Sequence, residues 1–266
     1  MANYCSNNLT VNGKGGAVKQ FIQENFRSPK VKNGEYAGRA LDDYVLDFEQ
    51  FDPTPIDEKT NDVIEDWYNW RLQHWGCKWS PGDQTICLIV EDENGNRVSF
   101  YDYSTVIPFS EKLVNELDVN KNMKLELSCY CETPWGPPEA MFMQWYERYK
   151  DLGLECKLQF YEPGCEILGE LWFSGDEYYC KYLDSYDSKE WIEYILEVGW
   201  VTRDWYIKEC FNCIEEMHPE MADKLIDKIT EFTANCSTEE AATLFSDILD
   251  KYNKWNNGEL DEPSKE

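Results

Sequence analysis

The sequence predicts an α+β fold: an antiparallel-rich sheet covered by helices, followed by an all-helical C-terminal region. Three observations predict it. The stretch from Cys131 to Tyr179, with the strand immediately upstream of it, reads as strand, helix, strand, strand, with apolar period switching from 2 to 3.6 and back. The first hundred residues show strand, helix, strand, helix and a hairpin in turn. From Ser188 onward only the helical period remains.

Taken in order, Tyr4 to Val11 reads as a first strand, turned at Asn12-Gly13 and followed by a helix with Val18, Phe21 and Ile22 inward. Residues 28 to 42 are polar and irregular, as in a loop. Tyr44, Leu46 and Phe48 alternate with Val45, Asp47 and Glu49, which predicts a second strand ended by Asp52-Pro53-Thr54-Pro55. Asp62 is placed to cap a helix in which Val63, Trp67, Trp70 and His74 share a buried face. Ile86, Leu88 and Val90 pair with Val98 and Phe100 across Asn94-Gly95, a hairpin signal. Ser110 caps a short helix with Leu113, Val114 and Leu117.

Met123, Leu125, Leu127 and Cys129 then alternate with polar residues, a strand broken by Trp135-Gly136-Pro137-Pro138. Proline fits the first turn of a helix, where its missing N–H has no intrahelical role. Met141, Trp145, Tyr149 and Leu152 follow at helical spacing, with Gly153 where a left-handed cap is wanted. Leu154, Cys156, Leu158 and Phe160 form the buried face of the next strand. Pro163-Gly164 turns the chain into a hairpin partner with Ile167, Gly169, Leu171 and Phe173 inward.

The helical end shows stripes at Trp191, Ile195 and Val198; at Trp205, Ile207, Cys210 and Ile214; and at Met221, Leu225, Ile229 and Phe232. Ser237 with Glu240 makes a capping box before Leu244, Phe245, Ile248, Leu249, Tyr252 and Trp255.

The run Thr133–Pro138, the Glu162-Pro163-Gly164 turn, Gly169, the opening Ala2-Asn3-Tyr4-Cys5-Ser6-Asn7 and the segment Trp75-Gly76-Cys77-Lys78-Trp79 together carry a resemblance. They resemble a family of small phage- and plasmid-borne proteins with a ferredoxin-like (YubB-type) domain, mostly of unknown function. The resemblance covers the chain ahead of its helical end and implies a ferredoxin-like sheet and a mobile-element origin. Its motifs are structural and imply no reaction. Residues 1–185 are accordingly read as a ferredoxin-like α+β region, with 1–105 and 106–185 as candidate related halves. Residues 186–256 are the helical region and 257–266 a polar tail.

Charge narrows the function classes. Fifty-two acidic against twenty-five basic residues give a formal charge of −27, yet 15% of the 266 residues are aromatic. Disordered acidic chains are poor in aromatics, so the expectation is a folded body with an anionic skin. Direct nucleic-acid binding and anionic membranes are disfavoured by that charge, and a basic protein surface is the favoured partner. No run approaches the apolar length of a membrane span and no leader pattern opens the chain, so a soluble protein in the host cytoplasm is expected. Eleven cysteines are dilute here, and Cys129 and Cys156 fall on core faces, which favours reduced, buried thiols.

Catalytic and metal signals are thin. Lys14-Gly15-Gly16-Ala17-Val18-Lys19-Gln20 lies between strand and helix like a phosphate-binding loop, but Gln20 stands where a magnesium-binding hydroxyl is needed. A glycine turn feeding a helix is the plainer reading. Cys210, Cys213 and His218 are close in sequence, but a structural zinc wants four ligands, so no metal or other cofactor is expected. The two histidines, His74 and His218, leave little for nucleophilic catalysis, and no enzyme is predicted.

What remains is the acid itself. Clusters fall at Asp42, Asp43, Asp47, Glu49 and Asp52; at Asp57, Glu58, Asp62, Glu65 and Asp66; at Glu91, Asp92 and Glu93; and at Asp176 and Glu177. Strand alternation places Asp47 and Glu49 on one face, about 7 Å apart, near the spacing of phosphates along a nucleic-acid strand. Trp79, Trp135 and Tyr161 are candidate aromatic anchors among these charges, though Trp135, beside prolines, is expected in the core. The reading is an acidic phage- or plasmid-encoded inhibitor of a host nucleic-acid-targeting defence system, of anti-CRISPR or anti-restriction type. It would imitate nucleic acid and bind a basic host protein or complex. Two alternatives stay open: a sponge for a nucleotide immune signal, and a structural or assembly role in phage biology.

Overall fold

The computed structural model describes residues 3–28, 44–60, 62–101, 109–119, 123–183, 188–219 and 222–259. The chain divides into two compact units, Met1–Tyr182 and Leu183–Glu266.

The first unit is α+β. Its elements run β1 (Tyr4–Lys14), α1 (Gly15–Asn25), β2 (Phe26–Arg27), β3 (Val45–Leu46), α2 (Phe48–Phe51), α3 (Trp67–Trp75), β4 (Gly82–Glu91) and β5 (Arg97–Tyr101). They continue with α4 (Glu111–Glu116), β6 (Lys124–Pro134), α5 (Glu139–Tyr149), a 3-10 turn at Lys150–Leu152, β7 (Glu155–Glu162), β8 (Ile167–Ser174) and β9 (Glu177–Tyr182). Seven strands form one antiparallel sheet in the order β5-β4-β6-β1-β7-β8-β9, and β2 pairs with β3 in a small separate sheet. Within it, β6 sits between β1 and β4, and β1 sits between β6 and β7. Two split β-α-β units therefore interlock, β1-α1-β4 and β6-α5-β7, which is the ferredoxin-like arrangement. β5 extends one edge, and β8 with β9 extends the other. Residues 1–105 and 106–185 thus feed one sheet.

Alternation decides which face is covered. Cys5, Leu9 and Val11 of β1, Leu125 to Cys131 of β6 in alternate positions, and Cys156, Leu158 and Phe160 of β7 are all buried. Against them lie Val18, Phe21 and Ile22 of α1 and Met141, Phe142, Trp145 and Tyr149 of α5. Phe21 touches the rings of both Trp145 and Tyr149, at 5.3 and 5.1 Å between centroids. One buried amide ties the two helices together: Asn25 accepts from Trp145 Nε1 at 2.7 Å and donates to the Phe21 carbonyl and the Tyr149 hydroxyl, both at 2.8 Å. Tyr149 in turn donates to Glu24, and its burial, then that carboxylate, push the phenol well above its ordinary pKa.

Several local expectations need correction. The second strand covers only Val45–Leu46, because Asp47 turns the chain and caps α2 with its carboxylate on the Glu49 N–H. The helix expected after Asp62 starts at Trp67, and Val63 pairs instead with Ile56 in an isolated bridge. His74 is half-exposed rather than buried, stacked on Trp70 at 3.9 Å. The β4–β5 hairpin, by contrast, forms as expected, with Leu88 opposite Phe100 and Val90 opposite Val98, and its loop is Asp92–Asn96. There the Asp92 carboxylate accepts from the backbone N–H groups of Asn94 and Asn96 and from the Asn96 side chain, and Asn96 holds its pKa below the usual range. β9 goes beyond the strands named from the pattern; its residues are mostly exposed, so alternation is faint.

The second unit is helical: α6 (Lys189–Val198), α7 (Arg203–Met217), α8 (Ala222–Asn235) and α9 (Thr238–Asn256). Ser188, Thr202 and Ser237 cap α6, α7 and α9, the last with the reciprocal Glu240 bond of a capping box. α9 packs on α6 and α7, and α8 packs on α7. Two stripes are shifted. α7 buries Tyr206, Cys210, Cys213, Ile214 and Met217 and leaves Trp205 exposed, while α8 buries Ile229 and Thr233 and leaves Phe232 exposed. Arg203 donates to the Thr233 and Cys236 carbonyls, closing the end of α8. Among the described residues no helix is long and apolar enough to cross a membrane. All eleven cysteines are free thiols, seven of them buried.

Candidate functional site

The acidic residues separate into those the fold consumes and those it presents. Asp57, Glu58, Asp62, Glu65 and Asp66 all stand exposed on one short excursion between α2 and α3. The excursion is held shut by its own backbone. The Ile56–Val63 bridge is backed by the Asp57 N–H donating to the Asp62 carbonyl at 2.8 Å and the Ile64 N–H to the Pro55 carbonyl at 3.1 Å. The bridge turns two apolar side chains outward: Ile56 is 59% and Val63 49% exposed. Tyr68 and Leu72 of α3 are exposed as well. Exposed Ile56 and Val63 thus share this excursion with five exposed carboxylates and Lys59, and the Lys78 ammonium lies 5.7 Å from the Tyr68 ring.

The root of this loop is rigid. Thr54 donates to Glu49 through both its N–H and its hydroxyl, each at 2.7 Å. Arg71 meets the same carboxylate at 2.7 Å, and its guanidinium lies between the rings of Trp67 and Trp75, 5.1 and 4.6 Å from their centroids. Such a cation between indoles is held by electrostatics on both faces.

Asp47 and Glu49 do not share a solvent face, contrary to the expected strand, and Asp52 is engaged as well. Asp47 is fully buried, ion-paired with Arg27 and bonded to Ser80 Oγ at 2.7 Å. Glu49 faces Arg71, and Asp52 lies 2.8 Å from His74 Nδ1 and accepts from Gln144 at 2.9 Å. The cause is local: helix α2 begins at Phe48, so successive side chains turn by the helical angle and no longer alternate. Asp42 and Asp43 lie outside the described residues. Glu91 is shared by Arg97 and Lys124, Asp92 builds its turn, Glu93 is exposed, and Asp176 and Glu177 are exposed at the β8–β9 turn.

The aromatic candidates also divide. Trp79 is half-buried with the Lys78 ammonium 4.3 Å from its ring, and Tyr161 is half-buried on β7. Trp135 is not in the core: it is 52% exposed. Its φ of 71° is left-handed, a region that disfavours side chains with a Cβ. A frame holds it there. The Trp135 N–H donates to the Asn3 carbonyl at 2.9 Å, Thr133 Oγ1 donates to the Gly136 carbonyl at 2.7 Å, and buried Asn7 donates to Thr133 at 2.9 Å. Exposed Tyr4 belongs to the same corner, since it pairs with Pro134. Sequence pattern missed this because the two prolines that follow Gly136 dictate a turn without saying which way its tryptophan points.

Cys210 and Cys213 are buried in α7 with His218 at its C-terminal end, and among the described residues no three potential metal ligands converge. The glycine turn at Lys14-Gly15 joins β1 to α1 and packs closely: a Cβ at Gly15 would lie 3.1 Å from the Val119 side chain, which would have to give way.

No protein-family model matches this chain, and no curated protein matches it. Among solved structures it is similar to the protein api92 from Yersinia pseudotuberculosis, of the family DUF1281. The identity is 15% and the TM-score 0.27, over 70% of this chain and 99% of that one.

Proposed function

We propose that this chain is a protein-binding module that docks on a basic, nucleic-acid-binding surface. The observation that carries the reading is the excursion bearing Ile56 and Val63, where exposed apolar side chains lie on the same short segment as exposed Asp57, Glu58, Asp62, Glu65 and Asp66. Apolar centre and charged rim is the anatomy of an interface. One sign of charge names the complementary partner, and a net −27 steers it from a distance. The finer reading is an inhibitor encoded by a phage or plasmid, which occupies the nucleic-acid channel of a host defence complex in place of its substrate. Its support is the charge of the folded body and the resemblance carried by the Ala2–Asn7, Thr133–Pro138 and Glu162–Gly164 motifs, with Gly169 and the Trp75–Trp79 segment. Trp135, displayed beside Tyr4, supplies an aromatic anchor outside the acidic loop.

The test is capture from a host that carries such a defence system, followed by elution through a salt series. A basic nucleic-acid-binding complex that elutes as salt rises, and that is lost when the five loop carboxylates are changed to amides, supports the proposal. Capture that yields no basic protein at low salt, or one indifferent to those changes, overturns it.

A further inference from the structure

The end of the sheet where β1, β4 and β6 carry Lys14, Glu91 and Lys124 opens into a cavity of about 380 Å³. Its polar lining is Asn12, Lys14, Glu91, Arg97, Lys124 and Glu126. Strand register sets four of these charges in one row: Arg97 opposite Glu91, Glu91 opposite Lys124, and Lys124 opposite Lys14. The carboxylates are engaged on one side of the row. Glu126 holds Arg97 at 2.9 Å, and Glu91 lies 3.8 Å from Arg97 and 3.9 Å from Lys124. Lys14 has no ion pair among the described residues.

Two ammonium groups on directly paired positions repel each other, and like charges so placed weaken a sheet. In a chain with twice as many acids as bases, this pair lines one cavity, where Glu91 reaches Lys124 at 3.9 Å and no described carboxylate pairs with Lys14. A dianion placed there would neutralise both. The volume is that of a small-ligand site. Glu91 and Glu126 in the wall disfavour a second anionic group but accept hydrogen bonds from hydroxyls. The buried Asn12 carboxamide oxygen has no hydrogen-bond partner among the described residues and is a further acceptor at this site.

We propose that this cavity binds a phosphate monoester of sugar-phosphate size, its phosphate between Lys14 and Lys124 and its hydroxyls on Glu126 and Asn12. The site is separate from the acidic patch and does not depend on the partner proposed for it. Free sugar phosphates and mononucleotides share this chemistry, so the full-length protein is titrated calorimetrically with ribose 5-phosphate, with adenosine 5′-monophosphate and with ribose. Either phosphate or both should bind and ribose should not, and the one that binds tighter identifies the source. Lys14→Gln and Lys124→Gln should each weaken binding by about tenfold. They should leave the melting temperature of the free protein unchanged or raised, because a repulsion is removed and the exposed Glu91 contact that Lys124→Gln gives up is worth little, whereas a folding defect would lower it. Lys112→Gln, on α4, should have no effect. The proposal is overturned if neither phosphate titrates, if ribose binds as well as its phosphate, or if both lysine variants bind like the parent.

Discussion

Arg71 and Glu49 meet at 2.7 Å beneath the acidic loop, and the same glutamate receives both polar groups of Thr54, so one ion pair anchors the chain on both sides of the excursion. Neither partner is more than one-fifth exposed, and Arg71 also fills the space between two indoles. Arg71→Met should cost about 2–3 kcal/mol in urea unfolding, because it strands a half-buried carboxylate. Arg71→Lys should recover little of that, since an ammonium cannot reproduce the planar fork. A cost within experimental error for Arg71→Met would show that the loop is rooted elsewhere.

Trp135→Gly separates display from folding. Glycine adopts the left-handed φ without strain, so the substitution should stabilise the fold or leave it unchanged, the relief being about 1 kcal/mol. Partner capture should nevertheless fall, because the exposed indole is gone. A lower melting temperature would instead mean that Trp135 packs to structural effect.

Gly169 is fixed by crowding. A Cβ there would lie 2.1 Å from the Lys181 carbonyl oxygen and 2.8 Å from the Phe160 ring, where β8 passes between β7 and β9. Phe160 and Tyr182 close over this position with centroids 5.1 Å apart. Gly169→Ala should destabilise by about 3 kcal/mol, measured by urea titration, since backbone must move to make room. A neutral result would mean that β9 detaches at little cost.

Glu24 gives a pH dependence with a defined sign. The Arg148 guanidinium first, then donors from Gln20 and Tyr149, hold its carboxyl below the ordinary glutamate range. The folded pKa is therefore below the unfolded one, and the resulting stability is present above the unfolded value and lost as pH falls through the folded value. The parent should exceed Glu24→Gln in stability near neutral pH and lose that advantage in acid. The difference is a fraction of a kcal/mol, because Arg148 is half-exposed and solvent screens the pair. An advantage that grows in acid would reverse the assignment.

Much of this architecture was legible, and the exceptions have physical causes. Periodicity reports which side chains are buried, so the strand at Leu125–Cys131, the helix at Met141–Tyr149 and the strand at Cys156–Phe160 were readable directly. Register across the sheet is not encoded in any one strand, and the placement of β1 between β6 and β7 emerges only from pairing. At Asp47 two signals competed: Tyr44, Leu46 and Phe48 alternate, but Asp47 with Gln50 three residues on also fits a helix start, and the cap prevailed. In α7 the choice between Trp205 and Tyr206 turns on which faces Phe245; Tyr206 stacks on it at 5.4 Å, a tertiary fact that the helical period alone leaves open. For the candidate site, composition showed that the protein is acidic. Only the structure separated carboxylates consumed by Arg27, Arg71 and His74 from the five left facing solvent.

That separation yields a kinetic prediction for the acidic patch. Charges at an interface rim act mainly on encounter, whereas buried apolar contacts act on dissociation. Changing Asp57, Glu58, Asp62, Glu65 and Asp66 to their amides should therefore slow association with the captured partner by about tenfold at low salt, and the loss should shrink as salt screens the parent. Ile56→Ser with Val63→Ser should leave association nearly unchanged and speed dissociation. Neither set breaks the backbone bonds of the Asp57–Asp62 turn, so both variants should keep the parent melting temperature. Surface plasmon resonance across a salt series distinguishes the two effects. If the amide variant dissociates faster while associating normally, the carboxylates are buried contacts rather than steering charges, and the rim and centre of the proposed interface exchange places.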